Sequence, residues 1–249
     1  MTGQRSTLIL LHGWGMHSAV WAQTATHLSA DFNVIAPDLP GYGGTPGMTP
    51  YTLEKLADRL ATELPSSCML CGWSLGGQLA IKLALRMPER VRRLVLIGTN
   101  PCFTRRNDWT CAIEPAILAQ FSRDLADHYE ATLKRFLALQ VHGDAAARQT
   151  LAHLRSLLLA QRKPDDLTLS GGLQILIDND LRSQIGDIVA PTLVVHGACD
   201  RLVPRCAAEW LASMLPDGHL LTMAAASHAP FLSHPLEFES ALRDFLQTG

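Results

Sequence analysis

The segment Cys71-Gly72-Trp73-Ser74-Leu75-Gly76-Gly77 places a serine between two glycines, one two residues before it and one two residues after it. An apolar run, 69–71, leads into the turn, and an Ala/Leu-rich stretch, 78–85, follows it. Where a strand turns this sharply into a helix, the serine backbone is strained, and its neighbours must be glycine because side chains have no room. The pattern indicates a nucleophile elbow, with the hydroxyl above the sheet edge beside free helix N–H groups. A Gly/Ser turn without chemistry is the alternative.

Strands and helices alternate on both sides of this turn. Short apolar runs predict buried parallel strands at 7–11, 33–36, 68–71, 93–98, 191–197 and 219–223. Between 101 and 180 the strand pattern stops, and helical patterns appear at 115–125, 129–140, 145–161 and 167–177. The sequence therefore predicts an α/β fold with a doubly wound, mostly parallel sheet. Residues 1–100 and 181–249 are expected to form the core, and residues 101–180 an inserted helical cap.

The overall composition favours an ordinary globular protein and gives no reason to expect nucleic acid or a membrane as a partner. The chain has 249 residues, of which 47% are hydrophobic and 18% charged, and its net charge is -2. The apolar run at 7–11 is too short for a signal peptide, and no stretch has the length of a membrane span. We therefore expect a cytoplasmic monomer. Its six cysteines are expected to be reduced thiols.

Two further strand ends carry the groups that a serine nucleophile needs. Asp200 follows the strand at 192–196, and His228 follows the strand at 219–223. In an open parallel sheet the carboxyl ends of the strands meet at one edge, where chemistry collects. The order Ser74, Asp200, His228 predicts a catalytic triad. His228 would be the base, because an imidazole titrates near neutrality, and Asp200 would orient and stabilise it.

Other residues of the same types are weaker candidates. His12 lies in the turn after the first strand and is expected to form hydrogen bonds with the loop backbone. His196 ends a strand, just before the loop that carries Asp200, and is a weak candidate for the base. Asp38 also follows a strand and is the second candidate for the acid, although its Asp-Leu-Pro-Gly context favours a loop-shaping role. The oxyanion of a tetrahedral intermediate needs two donors. We expect these to be the backbone N–H groups of Leu75 and Trp14.

The assembled motifs resemble those of the α/β-hydrolase superfamily along nearly the whole chain. General motifs carry this resemblance at 10–15, 72–77, 202–205 and 228–235. Two stretches of the cap, Arg135-Phe136-Leu137-Ala138-Leu139-Gln140 and 171–176, are more specific. They resemble the esterases of biotin synthesis that act on pimeloyl methyl esters carried by acyl-carrier protein. Members of that group have more chain before the first motif than the six residues that precede Thr7 here, so a reduced sheet edge is expected.

The resemblance implies a serine carboxylesterase that needs no metal or cofactor. Ser74 would attack the methyl ester, methanol would leave with a proton from His228, and water would release the carboxylate. By the same resemblance, the acyl chain would bind against Trp14, Ser74, Leu75, Phe136, Leu137, Ala138, Leu139, Gln140 and His228. There are three alternatives. The first is a general short-chain carboxylesterase, and the second is a carbon–carbon hydrolase or menaquinone-pathway lyase with the same triad. The third is a binding protein on this fold.

An acidic acyl-carrier protein as partner implies a basic surface on the cap. Between 131 and 163, six basic residues stand against one acid, Asp144. A spacing of seven brings Arg148, Arg155 and Arg162 close to one face of a helix, with the leucines at 151, 154 and 158 on the other. The predicted docking residues are Lys134, Arg135, Arg148, Arg155 and Arg162. A merely solvated helix face is the alternative.

Overall fold

A computed structural model of the protein describes residues 5–160 and 163–248. Six strands form one sheet in the order β2-β1-β3-β4-β5-β6, and every neighbouring pair is parallel. The strands are β1 (Thr7–Leu11), β2 (Asn33–Ile35), β3 (Cys68–Trp73), β4 (Val91–Ile97), β5 (Thr192–Gly197) and β6 (Gly218–Met223). This topology confirms the predicted α/β fold. The chain runs outward from β1 in one direction and from β3 in the other, so a crevice is expected at their carboxyl ends.

Helices follow the strands in the predicted alternation, and four of them, α4 to α7, lie between β4 and β5. The helices are α1 (Ala22–Leu28), α2 (Leu53–Glu63), α3 (Leu75–Arg86), α4 (Pro115–Asp127), α5 (Tyr129–Gln140), α6 (Ala147–Ala160), α7 (Asp166–Asp178), α8 (Arg205–Met214), α9 (Pro230–Ser233) and α10 (Pro235–Gln247). Within the described ranges, none of these helices is long and apolar enough to cross a membrane. We refer to residues 101–180, which contain α4 to α7, as the cap.

The sheet is buried on both faces because alternate residues of its strands enter two hydrophobic clusters. In β1, Ile9 and Leu11 pack into one cluster with α2, α3 and α8, whereas Leu8 and Leu10 pack into the other with α1 and α10. This arrangement explains why the strand sequences are continuously apolar rather than alternating. Burial of both faces leaves the carboxyl edge of the sheet as the place where polar groups can meet.

The expectation that all six cysteines are reduced is wrong. Cys111 and Cys206 form a disulfide, while Cys68, Cys71, Cys102 and Cys199 are free. The disulfide joins the segment before α4 to the second residue of α8, so it ties the cap to the core. The two cysteines are separated by 95 residues along the chain, and no local pattern marks them as neighbours.

We predict that the double variant Cys111→Ser/Cys206→Ser is less stable than the wild type. A cross-link restricts the unfolded chain more when it closes a longer loop, and a loop of roughly 100 residues corresponds to at most about 5 kcal/mol. Urea unfolding would measure the difference in the free energy of unfolding. A reducing agent should lower the midpoint of the wild type and leave that of the variant unchanged. An equal response of both proteins would contradict the cross-link.

Candidate active site

Ser74 lies at the turn from β3 to α3 with φ 55° and ψ -115°, and it is the one non-glycine residue with positive φ in the described part of the chain. Backbone crowding explains the glycines around it. A Cβ atom on Gly72 would lie 2.3 Å from the carbonyl oxygen of Gly76, and one on Gly76 would lie 2.4 Å from that of Leu11. The side chains of other residues would therefore push the turn apart. The strained elbow that the glycine pattern indicated is present.

His228 and Asp200 form a buried pair at the same edge of the sheet. The distance from His228 Nδ1 to Asp200 Oδ2 is 2.8 Å, and Asp200 Oδ1 accepts from the N–H groups of Leu202 and Val203. Burial opposes the charge on Asp200, but the His228 ring and these hydrogen bonds hold the pKa of that carboxyl below its ordinary value. An ionised Asp200 accepts a hydrogen bond from Nδ1–H, and Nε2 is then left to accept a proton from a nucleophile.

Gly98, just after β4, makes room for the His228 ring. It has a φ of 50°, and a Cβ atom there would lie 2.9 Å from His228 Nδ1. The backbone on either side of the ring is also held, since Trp73 Nε1 donates to the His228 carbonyl and the His228 N–H donates to the carbonyl of Gln140. Sequence reasoning missed Gly98. The available signal was a glycine at the end of the strand that follows the elbow.

Ser74 and His228 line one narrow cavity of about 90 Å³ beneath the cap. Its other lining residues are all apolar: Trp14, Phe103, Ile113, Ile117, Leu118, Phe121, Phe136, Leu139, Leu173, Leu176 and Leu202. In the described residues, the Ser74 hydroxyl makes no hydrogen bond to the His228 ring. Such bonds are commonly long before substrate binds and shorten in the complex. The cavity suits an apolar chain that ends in a group placed beside the serine.

The two residues predicted to form the oxyanion hole, Leu75 and Trp14, lie at the carboxyl edge of the sheet. Leu75 is the first residue of α3, so its N–H has no acceptor within the helix. Trp14 lies in the loop after β1, where its indole donates to the carbonyl of Leu169 at 2.9 Å. The same ring stands edge-on to Phe121 and Phe136, at centroid distances of 5.5 and 5.1 Å. The Trp14 side chain therefore forms a wall of the cavity.

The predicted acyl-binding stretch in α5 is divided between different surroundings. Phe136 and Leu139 line the cavity, whereas Leu137 is buried in a hydrophobic cluster and Ala138 is exposed. Gln140 is buried, and its backbone carbonyl accepts a hydrogen bond from the N–H of His228. A helix presents residues three apart on one face, so a continuous stretch cannot line one cavity.

His12 and Asp38 have the structural roles that the sequence predicted. The His12 ring is buried, with Nδ1 2.9 Å from the carbonyl of Gly13 and Nε2 accepting from the N–H of Leu39. Burial lowers the pKa of His12 to about 4, so this imidazole is neutral at physiological pH. Asp38 Oδ1 accepts from the N–H of Ser18 and joins the loops after β1 and β2.

His196, at the end of β5, is buried and does not line the cavity. Burial lowers the pKa of its imidazole, and neither ring nitrogen has a hydrogen-bond partner in the described part of the chain. Residues 5–160 and 163–248 contain no group of three His, Cys, Asp or Glu side chains that could hold a metal ion.

Two of the predicted docking residues are paired with acids that lie outside the stretch in which the charges were counted. Lys134 Nζ lies 3.7 Å from a carboxylate oxygen of Glu130, and Arg135 lies 2.8 Å from one of Asp124. These pairs reduce the positive charge of α5. Arg162 lies outside the described residues.

Arg148 and Arg155 are exposed on α6 and form no ion pair with any described residue. Leu154, on the opposite side of the helix, is fully buried. The helix therefore has the basic and apolar faces that its spacing indicated, and these two arginines carry the basic face.

Comparisons with known proteins place the chain among hydrolases. Residues 6–235 match the family described as having the alpha/beta hydrolase fold. The chain is 43% identical over 239 residues to a pimeloyl-[acyl-carrier protein] methyl ester esterase of Nitrosomonas europaea, with 96% of this chain and 95% of that protein covered. It is also 43% identical to the protein of the same name from Aromatoleum aromaticum, with 98% and 99% covered. An esterase structure from Exiguobacterium antarcticum has a TM-score of 0.90 at 22% identity, with 99% and 93% covered, which shows the shared fold alone.

We predict that Gly98→Ala lowers kcat for a small ester by about 10²-fold. The added Cβ would collide with the His228 ring, and a displacement of about 1 Å at a reacting group has an effect of that size. Gly44→Ala is the matched control, because Gly44 also has a positive φ, of 89°, and a Cβ atom there has nothing within 4 Å. Equal activity of the two variants would show that the ring does not depend on this space.

We predict that burial of His12 makes the protein less stable in acid. The unfolded chain takes up a proton at this ring near pH 6.5, whereas the folded chain does so only near pH 4. The contribution of the neutral His12 ring to the free energy of unfolding is therefore fully present above pH 6.5. It falls by about 3 kcal/mol towards pH 4, because the unfolded state binds more protons in that range. Urea unfolding of wild type and His12→Gln across this range would measure the two slopes. The variant should have the shallower slope, and identical slopes would contradict the prediction.

Proposed function

Because the chain belongs to the α/β-hydrolase family, we propose that it is a carboxylic ester hydrolase that demethylates pimeloyl-[acyl-carrier protein] methyl ester in biotin synthesis. Relatives that carry this name are 41–43% identical to the chain over most of its length. The observation that carries the chemistry is the buried His228–Asp200 pair, whose histidine lines an apolar cavity together with a strained serine.

In the proposed reaction, His228 Nε2 takes the proton of the Ser74 hydroxyl while the oxygen attacks the ester carbonyl. The negative charge that develops on the carbonyl oxygen is stabilised by the N–H groups of Leu75 and Trp14. Asp200 stabilises the imidazolium. The tetrahedral intermediate then expels methanol, which takes its proton from His228, and an acyl-enzyme remains. Water, deprotonated by His228, attacks this acyl-enzyme and releases the carboxylate and the serine.

The proposed steps use only side chains and backbone groups of the chain, so they include no metal or cofactor. The scissile methyl ester lies at the far end of the pimeloyl chain from its carrier. The apolar chain would bind against Trp14, Phe136 and Leu139, while the acidic carrier would stay outside, near Arg148 and Arg155. We take the enzyme to be a cytoplasmic monomer.

A general short-chain carboxylesterase is the second candidate, because the lining of the cavity is apolar apart from Ser74 and His228 and would also accept other acyl chains. The ratio of kcat/KM for carrier-linked pimeloyl methyl ester to that for a short methyl ester separates the two functions. A ratio below one would favour the second candidate, for which the names of the relatives give no support.

We predict that Ser74→Ala abolishes hydrolysis, with a loss in kcat/KM of at least about 10³-fold, because the nucleophile is removed. Hydrolysis of a p-nitrophenyl ester would measure this loss. Urea unfolding of the same variant serves as the control for folding. Retained turnover in a folded variant would remove serine from the mechanism.

We predict that Arg148→Glu/Arg155→Glu weakens turnover of the carrier-linked ester about tenfold or more at low salt, through KM. Hydrolysis of a small soluble ester should be unchanged, because neither residue lines the cavity. Arg92→Glu is the matched control, since Arg92 is exposed at the amino end of β4, on the opposite edge of the sheet. Equal losses on both esters, or an equal loss in the control, would dismiss the docking surface.

A further inference from the structure

The loop that carries His228 is hydrogen-bonded to the cap. We call residues 224–229 the histidine loop and residues 141–146 the α5–α6 connection. Three bonds join the cap to the histidine loop: the N–H of Ala145 donates to the carbonyl of Ala225, the N–H of Ser227 donates to the Asp144 carboxylate, and the N–H of His228 donates to the carbonyl of Gln140. The backbone of the proposed base is therefore held by residues of the inserted segment.

Asp144 provides the one side-chain contact among these three. Its carboxylate is 2% exposed. Oδ1 accepts from the N–H of Ala146 at 2.7 Å, and Oδ2 accepts from the N–H of Ser227 at 2.9 Å. The nearest basic group is His234, whose Nδ1 lies 4.0 Å from Oδ1. Bonds from N–H groups to a buried carboxylate are stronger than neutral ones, so this contact can hold two backbone segments together.

On that side, the other hydrogen bonds to the histidine loop are the two backbone bonds that involve Ala145 and Gln140. It is neither helix nor strand, and its other side is pressed against the end of β5. A Cβ atom on Gly197 would lie 2.0 Å from the carbonyl oxygen of Ser227. The loop is thus clamped between the core and Asp144. The residue next to the clamped N–H is His228, so a shift at Ser227 displaces the imidazole directly.

We propose that Asp144 is a positioning residue for His228, through which the cap holds the base within reach of Ser74. General-base catalysis requires the base to lie within about 3 Å of the proton that it removes. Loss of the Asp144–Ser227 bond would loosen the histidine loop at Ser227, between the two backbone bonds at Ala225 and His228, and lower kcat. The inference rests on the proposed roles of Ser74 and His228, but not on the identity of the ester.

Asp144 Oδ1 also accepts from the N–H of Ala146, just before α6, so support of this turn has to be separated from the positioning role. Asp144→Ser achieves this. A serine hydroxyl can make the same local bond, but serine lacks the second oxygen that reaches Ser227. The matched control is Asp165→Ser. Asp165 caps α7 by accepting from the N–H of Thr168, and it has no hydrogen bond to the histidine loop.

The experiment measures kcat and KM of the variants with p-nitrophenyl acetate, with urea unfolding used to correct for the folded fraction. Asp144→Ser should lower kcat about tenfold or more per folded enzyme and leave KM within about twofold, because Asp144 does not line the cavity. Asp144→Asn has the same shape and retains one acceptor, so it should lower kcat less. Asp165→Ser should retain the wild-type kcat.

Two results would overturn the inference: a kcat within about twofold of wild type in both Asp144 variants, or an equal loss in Asp165→Ser. Its failure is distinguishable from failure of the proposed function. If Ser74→Ala is inactive while the Asp144 variants retain kcat, the esterase stands and the positioning role falls. If the wild type hydrolyses p-nitrophenyl acetate but not the carrier-linked ester, the proposed substrate falls while the test of Asp144 stands.

Discussion

Close packing of backbone at the carboxyl edge of the sheet is the constraint on which the site depends. The loops that carry Ser74, Asp200 and His228, the residues of the proposed triad, meet there. Glycine stands at each contact: Gly72 under the elbow, Gly98 against the His228 ring, and Gly197 against the carbonyl of Ser227. In each case a Cβ atom would lie within 3 Å of the opposing atom. The same crowding that strains Ser74 brings the three loops close enough to act together.

This crowding also sets the electrostatics. Asp200 is fully buried, which alone would favour its neutral form, yet its pKa is held below the ordinary value by His228 and by two backbone N–H groups. A carboxylate that is kept ionised in a dry site can stabilise an imidazolium more strongly than one in water. The apolar cavity beside His228 therefore supports the pair, because its lining offers little polar surface to water that would weaken the pair. The same lining is the proposed binding site of the acyl chain.

The cap contributes more than a cover. Its helices supply most of the apolar lining, and the α5–α6 connection bonds to the histidine loop. The disulfide between Cys111 and Cys206 joins the beginning of the cap to α8, the helix that follows the loop carrying Asp200. Since Ile113 and Leu202 both line the cavity, this cross-link holds two of its walls together. The inserted segment and the core thus form one site.

Local patterns were sufficient for the architecture. Apolar runs and helical periodicity predicted six parallel strands and the inserted helices, and the glycines around Ser74 predicted the elbow, because each depends on neighbours in the chain. The positions of Asp200 and His228 after strands predicted that they would meet, because the carboxyl ends of parallel strands share an edge. The structure places these two side chains 2.8 Å apart.

Only the tertiary structure decided which groups are near one another across long separations. It paired Arg135 with Asp124, joined Cys111 to Cys206, and placed Asp144 against the histidine loop. It also divided the stretch 136–140 between the cavity and the core. The physical reason is the same in each case. Propensity and periodicity are properties of a short segment, whereas a contact between distant residues depends on how every intervening segment packs.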